Sequence, residues 1–335
     1  MPATSQPDNH THTDAGGGAS LRNPLLFLAV MAVVLLAIIS FAALNAIRDS
    51  HQRIIGEHLE STARSVVELI RLWEERSRGS ARVVVQSTQG QLLLHGMLDD
   101  PQADPARHRQ LHDRLYPILQ PLGYEGYMLL NMERKVVASS NAGYVGRSEW
   151  SPLTLETLDR TLRQGTAISR PVPASQALEG PHGLLPEGGL VQSLCVLVTR
   201  QQEQRGYFCF RINPQTSFFP LFHAGPIGSS GGAYAIDRSG RIITPAHTRE
   251  QSNIERFPHF YRYSGTPLHA RVPDPVTGQP GELTPMALAL QTQAVVNLQT
   301  PYTDYRGATV MGSGLWLPEL DIGVIVEQEV SDAFA

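Results

Sequence analysis

Apolar positions along the chain change their period several times, and each change marks an element. Every residue over 24–47 is uncharged and nearly all are apolar (PLLFLAVMAVVLLAIISFAALNAI). At ~1.5 Å per residue these positions span roughly 36 Å as a helix, enough for the ~30 Å hydrocarbon core of a bilayer and longer than the apolar part of a signal peptide. The run predicts a retained transmembrane helix over 24–47. Ahead of it, residues 1–23 show no apolar period and contain the run Gly16-Gly17-Gly18, which predicts a disordered tail on the cytoplasmic side. Behind it, Ile54, Ile55, Leu59, Ala63, Val66, Val67, Ile70 and Trp73 recur at spacings of three and four without an intervening proline. That spacing predicts a long stalk helix over 48–85, whose apolar stripe, left exposed, implies a homodimer.

Beyond the stalk a helix is expected over 104–119, and then the pattern shortens to strands. Residues 126–130 read as a strand, 131–134 as a turn and 135–139 as the returning strand. A helix follows over 153–164, opened by Ser151-Pro152, a capping residue with proline at the first helical position. Strands at 190–199 and 206–212 close this block. The same order then recurs: strand 232–236, turn 237–240, strand 241–244, a helix from Thr284-Pro285 to about 293, and strands at 308–315 and 322–329. The expected fold class is α+β: a transmembrane helix and a long stalk helix, then two modules, 86–213 and 214–335, each with a small antiparallel sheet. The boundary falls in the proline- and glycine-rich stretch 213–230.

At the second block the sequence resembles a known family. The segments IGSSGGAYAIDRSGRIIT at 227–244 and YRGATVMGSGLWLPELDIGVIVE at 305–327 look like the second module of double Cache (tandem PAS-like) sensor domains. In that family Arg-Gly precedes a strand, followed by a tryptophan-proline turn and a last strand ending in glutamate. Residues 124–146 resemble the first, membrane-distal module more loosely. The resemblance covers about 48–335 and implies the extracytoplasmic sensor of a bacterial transmembrane receptor, anchored in the inner membrane. It also implies ligand recognition in the distal module. Family members continue from the final strand through a second membrane helix into a kinase, cyclase or chemoreceptor output region, whereas here residues 329–335 occupy that place. The expected output therefore lies on a missing C-terminal region or a separate protein. The alternative is a stand-alone anchored ligand-binding protein that signals through a partner. Arg22 before the span against Arg48, Arg53 and Arg64 after it favours a cytoplasmic C-terminal part. The resemblance outweighs that count, because long domains translocate largely regardless of flanking charge.

Composition mainly removes classes. The 335 residues carry a net charge of −4, so there is no basic surplus for phosphate neutralisation and no nucleic-acid partner is expected. Two cysteines cannot build a disulfide scaffold or a four-cysteine zinc site. No glycine-rich phosphate loop, nucleophile elbow or kinase signature occurs, so the reading is a non-enzymatic sensor without cofactor.

For a small-molecule ligand, the candidate residues are Tyr127 on the first strand, Arg147 and Trp150 after the turn, Arg170 before the last strand pair, and Tyr207. Arginine pairs a carboxylate in bidentate fashion and aromatic rings wall a cavity, so a carboxylate-bearing ligand fits this set. The residue pattern of the family's amino-acid-binding members is not met, because Arg147-Ser-Glu-Trp150 lacks its tyrosine and spacing.

Opposing Cys195 with Cys209 pairs Leu194 with Phe210, Val196 with Phe208 and Val198 with Gly206, leaving a three-residue loop at 201–203. That register sends Ser193, Cys195, Tyr207, Cys209 and Arg211 to one face. A disulfide then needs only modest closure; two reduced core cysteines are the default reading, and a bridge outside the cytoplasm is the hypothesis set against it. His108 and His112, with Asp113 adjacent, have metal-ligand spacing but no third ligand, and a solvated helix face is expected. His10 and His12 in the tail support no metal site by composition alone.

Overall fold

The computed structural model describes residues 24–100, 105–181, 183–223, 230–244, 270–273 and 280–333. The expected tail over 1–23, with His10 and His12, lies outside the described residues. Two compact units divide between His51 and Gln52.

The first unit is the beginning of helix α1 (Pro24–Gln86). Its Phe27, Leu36, Phe41 and Leu44 are all more than half exposed, so this apolar surface has no protein partner within the unit. Among the described residues α1 is the one helix long and apolar enough to cross a membrane.

In the second unit α1 behaves differently. Leu59, Ala63, Val66, Val67 and Ile70 are at most 3% exposed and belong to one apolar core shared with both sheets of the chain. The stripe that the sequence offers to a dimer partner is therefore filled inside the monomer, because each sheet has an apolar face to cover and α1 supplies the cover. Its early turns meet the second sheet, where Asn297 Nδ2 donates to Gly56 O (3.4 Å) and Glu60 Oε2 (3.2 Å). Its late turns meet the first, where Arg82 Nε donates to Thr166 Oγ1 (2.9 Å). α1 stops at Ser87, whose hydroxyl donates to Val84 O (2.9 Å) and accepts from Gly90 N (3.0 Å), capping an unforeseen α2 (Thr88–Asp99). α3 (Pro105–Leu119) follows.

The first sheet is antiparallel. Its strands are β1 (Tyr124–Asn131), β2 (Val136–Ser139), β3 (Thr166–Ile168) and β4 (Val172–Pro173). The long pair β7 (Leu190–Arg200) and β8 (Glu203–Ile212) completes it, after a small hairpin of β5 (Leu178–Gly180) and β6 (Gly183–Leu185). The spatial order is β2-β1-β8-β7-β3, with β4 also on β7. α4 (Pro152–Gln164) is capped by Ser151, which accepts from Thr154 N, as its sequence implies.

The register of β7 on β8 is the expected one, with Cys195 opposite Cys209, Leu194 opposite Phe210 and Val196 opposite Phe208. Near the turn it departs: a bulge after Val198 pairs Thr199 with Gln204 and Arg200 with Glu203. The connection is thus two residues, Gln201 and Gln202, both at positive φ (52° and 71°), which suits the twist of a tight hairpin better than three would.

Alternation along β7 and β8 separates two apolar layers. Leu194, Val196, Val198, Phe208, Phe210 and Ile212 join the core under α1–α3, while Cys195, Tyr207 and Cys209 join Leu130, Val136, Tyr144 and Leu158 on the opposite face. Each large side chain buried here contributes about 1.5–3 kcal/mol.

The described start of the connection expected as a boundary, 213–223, is packed chain. α5 (Pro214–Ser217) is capped by Asn213, and Phe218, at 0% exposure, lies 5.4 Å from the Trp73 ring.

The second sheet has the order β12-β13-β14-β9, from β9 (Gly232–Ile236), β12 (Val295–Thr303), β13 (Thr309–Leu317) and β14 (Ile322–Glu329). A separate hairpin pairs β10 (Arg271–Pro273) with β11 (Pro280–Leu283). Three expectations are corrected. The return at 241–244 is an isolated bridge between Ile236 and Ile242, since the Thr244 hydroxyl, and not a main-chain carbonyl, takes the Ala235 N–H (2.9 Å). The helix opened by Thr284 is the short α6 (Pro285–Leu290). Strand β12 was unforeseen: Asn297, Gln299, Thr300 and Pro301 break its alternation, which an edge strand tolerates. α7 (Val330–Ala333) follows β14.

Two outcomes follow from this packing. A Cβ on Gly206 would strike the Leu130 carbonyl oxygen in the adjacent strand and approach Leu98 Cδ2 to 3.2 Å. Gly206→Ala is therefore expected to cost about 1–3 kcal/mol, read from the urea midpoint of the full chain; an unchanged midpoint contradicts the register. Cys195 and Cys209 form a disulfide, so thiol titration of denatured, unreduced protein should find none free. Reduction should remove about 3 kcal/mol through loss of loop closure, and two free thiols before reduction would contradict the bond.

Candidate functional site

On the side of the first sheet turned away from α1, the layers leave a cavity of about 110 Å³. That is room for roughly seven to ten water-sized spheres, hence for a small organic ligand. Its floor is Met128 of β1, Ser193 of β7, and Cys209 and Arg211 of β8. One wall is the segment after β2, with Ser140, Tyr144, Arg147 and Trp150, and the other is the β4–β5 segment with Ser175 and Leu178.

Among the described residues Arg147 and Arg211 are its charged lining, and no carboxylate lines it. Arg147 is held by its own neighbourhood: Nε donates to Glu149 O (2.8 Å) and Nη1 to Ser175 Oγ (3.0 Å). Its guanidinium lies 5.2 Å from the Tyr144 ring and 5.3 Å from the Trp150 ring, and those rings are stacked within 9° of parallel. Trp150 is fixed in turn by its indole N–H, which donates to Arg134 O (2.8 Å).

Arg211 donates through Nη2 to the carbonyls of Glu125 (2.7 Å) and Glu179, while its Nε is buried without a hydrogen-bond partner. Gly126 makes this placement feasible, because a Cβ there would come within 3.2 Å of the Arg211 guanidinium carbon. Burial pulls Arg211 below the usual arginine range, although a guanidinium stays charged at any ordinary pH. The cavity thus holds two fixed cations, aromatic walls and several hydroxyls, a setting that favours an anion.

Of the five residues expected to meet a ligand, Arg147 and Trp150 line this cavity with their side chains. Tyr127 borders it, but its ring lies on the helix side, 5.6 Å from Phe208 and 6.2 Å from His112. Tyr207 has the right parity but sits nearer the hairpin, 1% exposed in the apolar layer with Leu130 and Leu158.

Arg170 is turned to the other module. Its Nη1 donates to Asp321 Oδ2 (2.9 Å), and Asp321 Oδ1 accepts from Arg238 Nε (2.7 Å). Arg238 also lies 4.5 Å from the Trp316 ring. Arg160 reinforces this junction, donating to Ile168 O (2.6 Å) and to Glu319 O. The cavity connects to it through one short run of chain: Ser169 Oγ accepts from the main-chain N–H of Ser193 on the cavity floor (2.9 Å), next to Arg170.

Arg211 was the residue passed over. Its place two residues from Cys209 puts it on the cavity face, and that alternation was the available signal. His112 stacks on Tyr116 at 4.8 Å, and among the described residues no cluster of His, Cys, Asp and Glu is able to hold a metal ion.

No family model and no curated protein matches the sequence. Solved structures do. The extracellular domain of the putative histidine kinase vpHK1S-Z8 is similar at 7% identity and TM-score 0.50, over 85% of this chain and 95% of that one. The V. cholerae histidine kinase DctB sensor domain is similar at 13% identity and TM-score 0.47, over 84% and 98%. The ligand-binding domain of Mlp24 with asparagine is similar at 13% identity and TM-score 0.46, over 86% and 97%. The first likeness shows a shared α+β fold.

Because Arg170 and Asp321 are largely shielded from solvent, at 16% and 25% side-chain exposure, their pair should be measurable. A double-mutant cycle of Arg170→Ala and Asp321→Ala, read by urea unfolding, is expected to give a coupling of about 1 kcal/mol. Additive single losses would contradict the junction.

Proposed function

We propose that this chain is the ligand-sensing part of a membrane signalling receptor, and that its ligand is a small molecule bearing a carboxylate. The observation that carries the reading is the cavity with Arg147 and Arg211 and, among the described residues, no acidic residue in its lining. Among the described residues Arg147 Nη2 has no partner and Arg211 Nε is buried without one, so both have donors left for a carboxylate. Such a ligand adds a charge-assisted partner to guanidinium groups that are partly withdrawn from water.

In this reading residues 24–47 anchor the chain in the inner membrane and residues 48–335 lie outside the cytoplasm. The Cys195–Cys209 bond supports an oxidising compartment. Residues 86–213 form the sensing module and 214–335 the membrane-proximal one. A ligand held between Arg147 and Arg211 draws the β4–β5 segment toward the floor, and Ser169-Arg170 carries that shift to Asp321. A signalling region on a continuation of the chain or on a separate protein reads it. Since the α1 stripe packs inside the monomer, the receptor reading stands on the cavity and not on dimerisation.

The test is a thermal-shift and calorimetric screen of the full chain in detergent against small carboxylates, amines and sugars. At least one carboxylate is expected to bind, stabilising by about 2.7 kcal/mol at a hundred times its Kd. Arg147→Gln is expected to weaken that ligand roughly 10–100-fold through loss of a charge-assisted bond. Binding of neutral or cationic compounds alone, or unchanged affinity in Arg147→Gln, would overturn the reading.

A further inference from the structure

The second sheet buries a carboxylate that the ligand cavity does not use. Glu327, on β14, is 2% exposed and sits with Ile325 on the face covered by α6. Three strands converge on it. Tyr302 of β12 donates its hydroxyl to Glu327 Oε1 (2.7 Å), reaching across β13. That reach exists because β13 carries Gly312 opposite Glu327, where a Cβ would strike the Tyr302 hydroxyl and lie 3.0 Å from Glu327 Cγ. From β9 comes Tyr234, whose buried hydroxyl lies beside the same carboxylate.

The remaining titratable groups around the site are committed elsewhere. In the β12–β13 turn Asp304, at 0% exposure, accepts from the main-chain N–H groups of Arg306 (2.8 Å) and Ala308 (2.9 Å). Arg306 is bound to Asp304 at 2.6 Å and lies 3.8 Å from Glu329. Tyr305 packs edge-on against Tyr234 at 5.2 Å, α6 presents Met286 and Leu290, and Asp332 of α7 accepts from Ser230 (3.1 Å). Among the described residues no cation forms an ion pair with Glu327.

We propose that Glu327, with Tyr302 and Tyr234, is a proton-sensing device in the second module: taking up a proton as the surrounding medium acidifies tightens the four-stranded sheet, and losing it loosens the sheet. Protonated, Glu327 is neutral, keeps an oxygen for Tyr302 and no longer bears the desolvation cost of a buried charge. Deprotonated, it is a buried anion with the Asp304 charge nearby. Burial first and the Asp304 charge next push it up, the Tyr302 and Tyr234 hydroxyls and Arg306 pull it back, and it is left at about 7. Tyr302 and Tyr234 are themselves pushed well above the usual phenol range, by burial and then by Glu327, so they stay protonated throughout. The folded value lies above the ordinary 4.5, so the stabilisation is complete below about 4.5 and is lost as pH rises to about 7.

The experiment compares the full chain in detergent with Glu327→Gln from pH 5 to 8.5, by urea unfolding. Glutamine keeps an acceptor for Tyr302 but does not titrate. The wild-type unfolding constant is expected to rise relative to the variant, approaching tenfold per pH unit up to about pH 7, and then to level. Difference infrared spectroscopy is expected to show a protonated carboxylic acid band that fades near neutrality and is missing from Glu327→Gln. Tyr302→Phe, which removes a bond favouring the anion, should move that midpoint upward and serves if the glutamine variant fails to fold. Parallel pH profiles in wild type and Glu327→Gln, an infrared band absent throughout, or an unmoved midpoint in Tyr302→Phe would each overturn the proposal.

Discussion

Leu59, Ala63, Val66, Val67 and Ile70 of α1 share one continuous apolar core with both antiparallel sheets. A small sheet has two faces to account for, and here one helix covers the inner face of each in turn. The outer faces are then free to differ. On the first sheet the outer layer opens into a cavity with two guanidinium groups. On the second it closes over a buried carboxylate and two phenols. The two sheets have related strand order and opposite chemistry, and the shared helix keeps them in fixed proximity across the Arg170–Asp321–Arg238 junction.

That junction ties the first sheet's surroundings to the second sheet. Asp321 sits at a positive φ of 55° in the turn between β13 and β14, and accepts from one arginine of each module. Ser169 bonds the floor strand one residue before Arg170. A shift of the cavity wall therefore acts on a turn whose strand, β14, also carries Glu327 at its other end. In the proposed reading, ligand occupancy and the protonation of Glu327 bear on the same strand from different sides, where a bias of a few kcal/mol is enough to shift a two-state equilibrium.

Much of this was legible in the chain because side-chain period is a geometric rule. The β7–β8 pairing followed from opposing two cysteines, and the capping residues Ser151 and Thr284 marked their helices. What escaped had weak periodicity or depended on long-range contacts. β12 reads as polar because Pro301 and its neighbours occupy an edge, and the 201–203 loop was one residue too long because a bulge leaves no sequence mark. Alternation assigns a face but not a depth along the strand. It placed Tyr207 and Arg211 alike, yet only Arg211 reaches the cavity. The place of Arg170 was hidden for a different reason: nothing local reveals that the β13–β14 turn, some 150 residues away, supplies its partner.

The central claim is that Arg147 and Arg211 together hold an anionic group above the floor of the first sheet. An experimental structure of the full chain with a bound carboxylate tests it most directly. The account predicts the carboxylate oxygens within hydrogen-bond distance of both guanidinium groups, with the remainder of the ligand against Tyr144 and Trp150. A ligand bound in the second module, or bound in this cavity with its charged group turned away from both arginines, would contradict it.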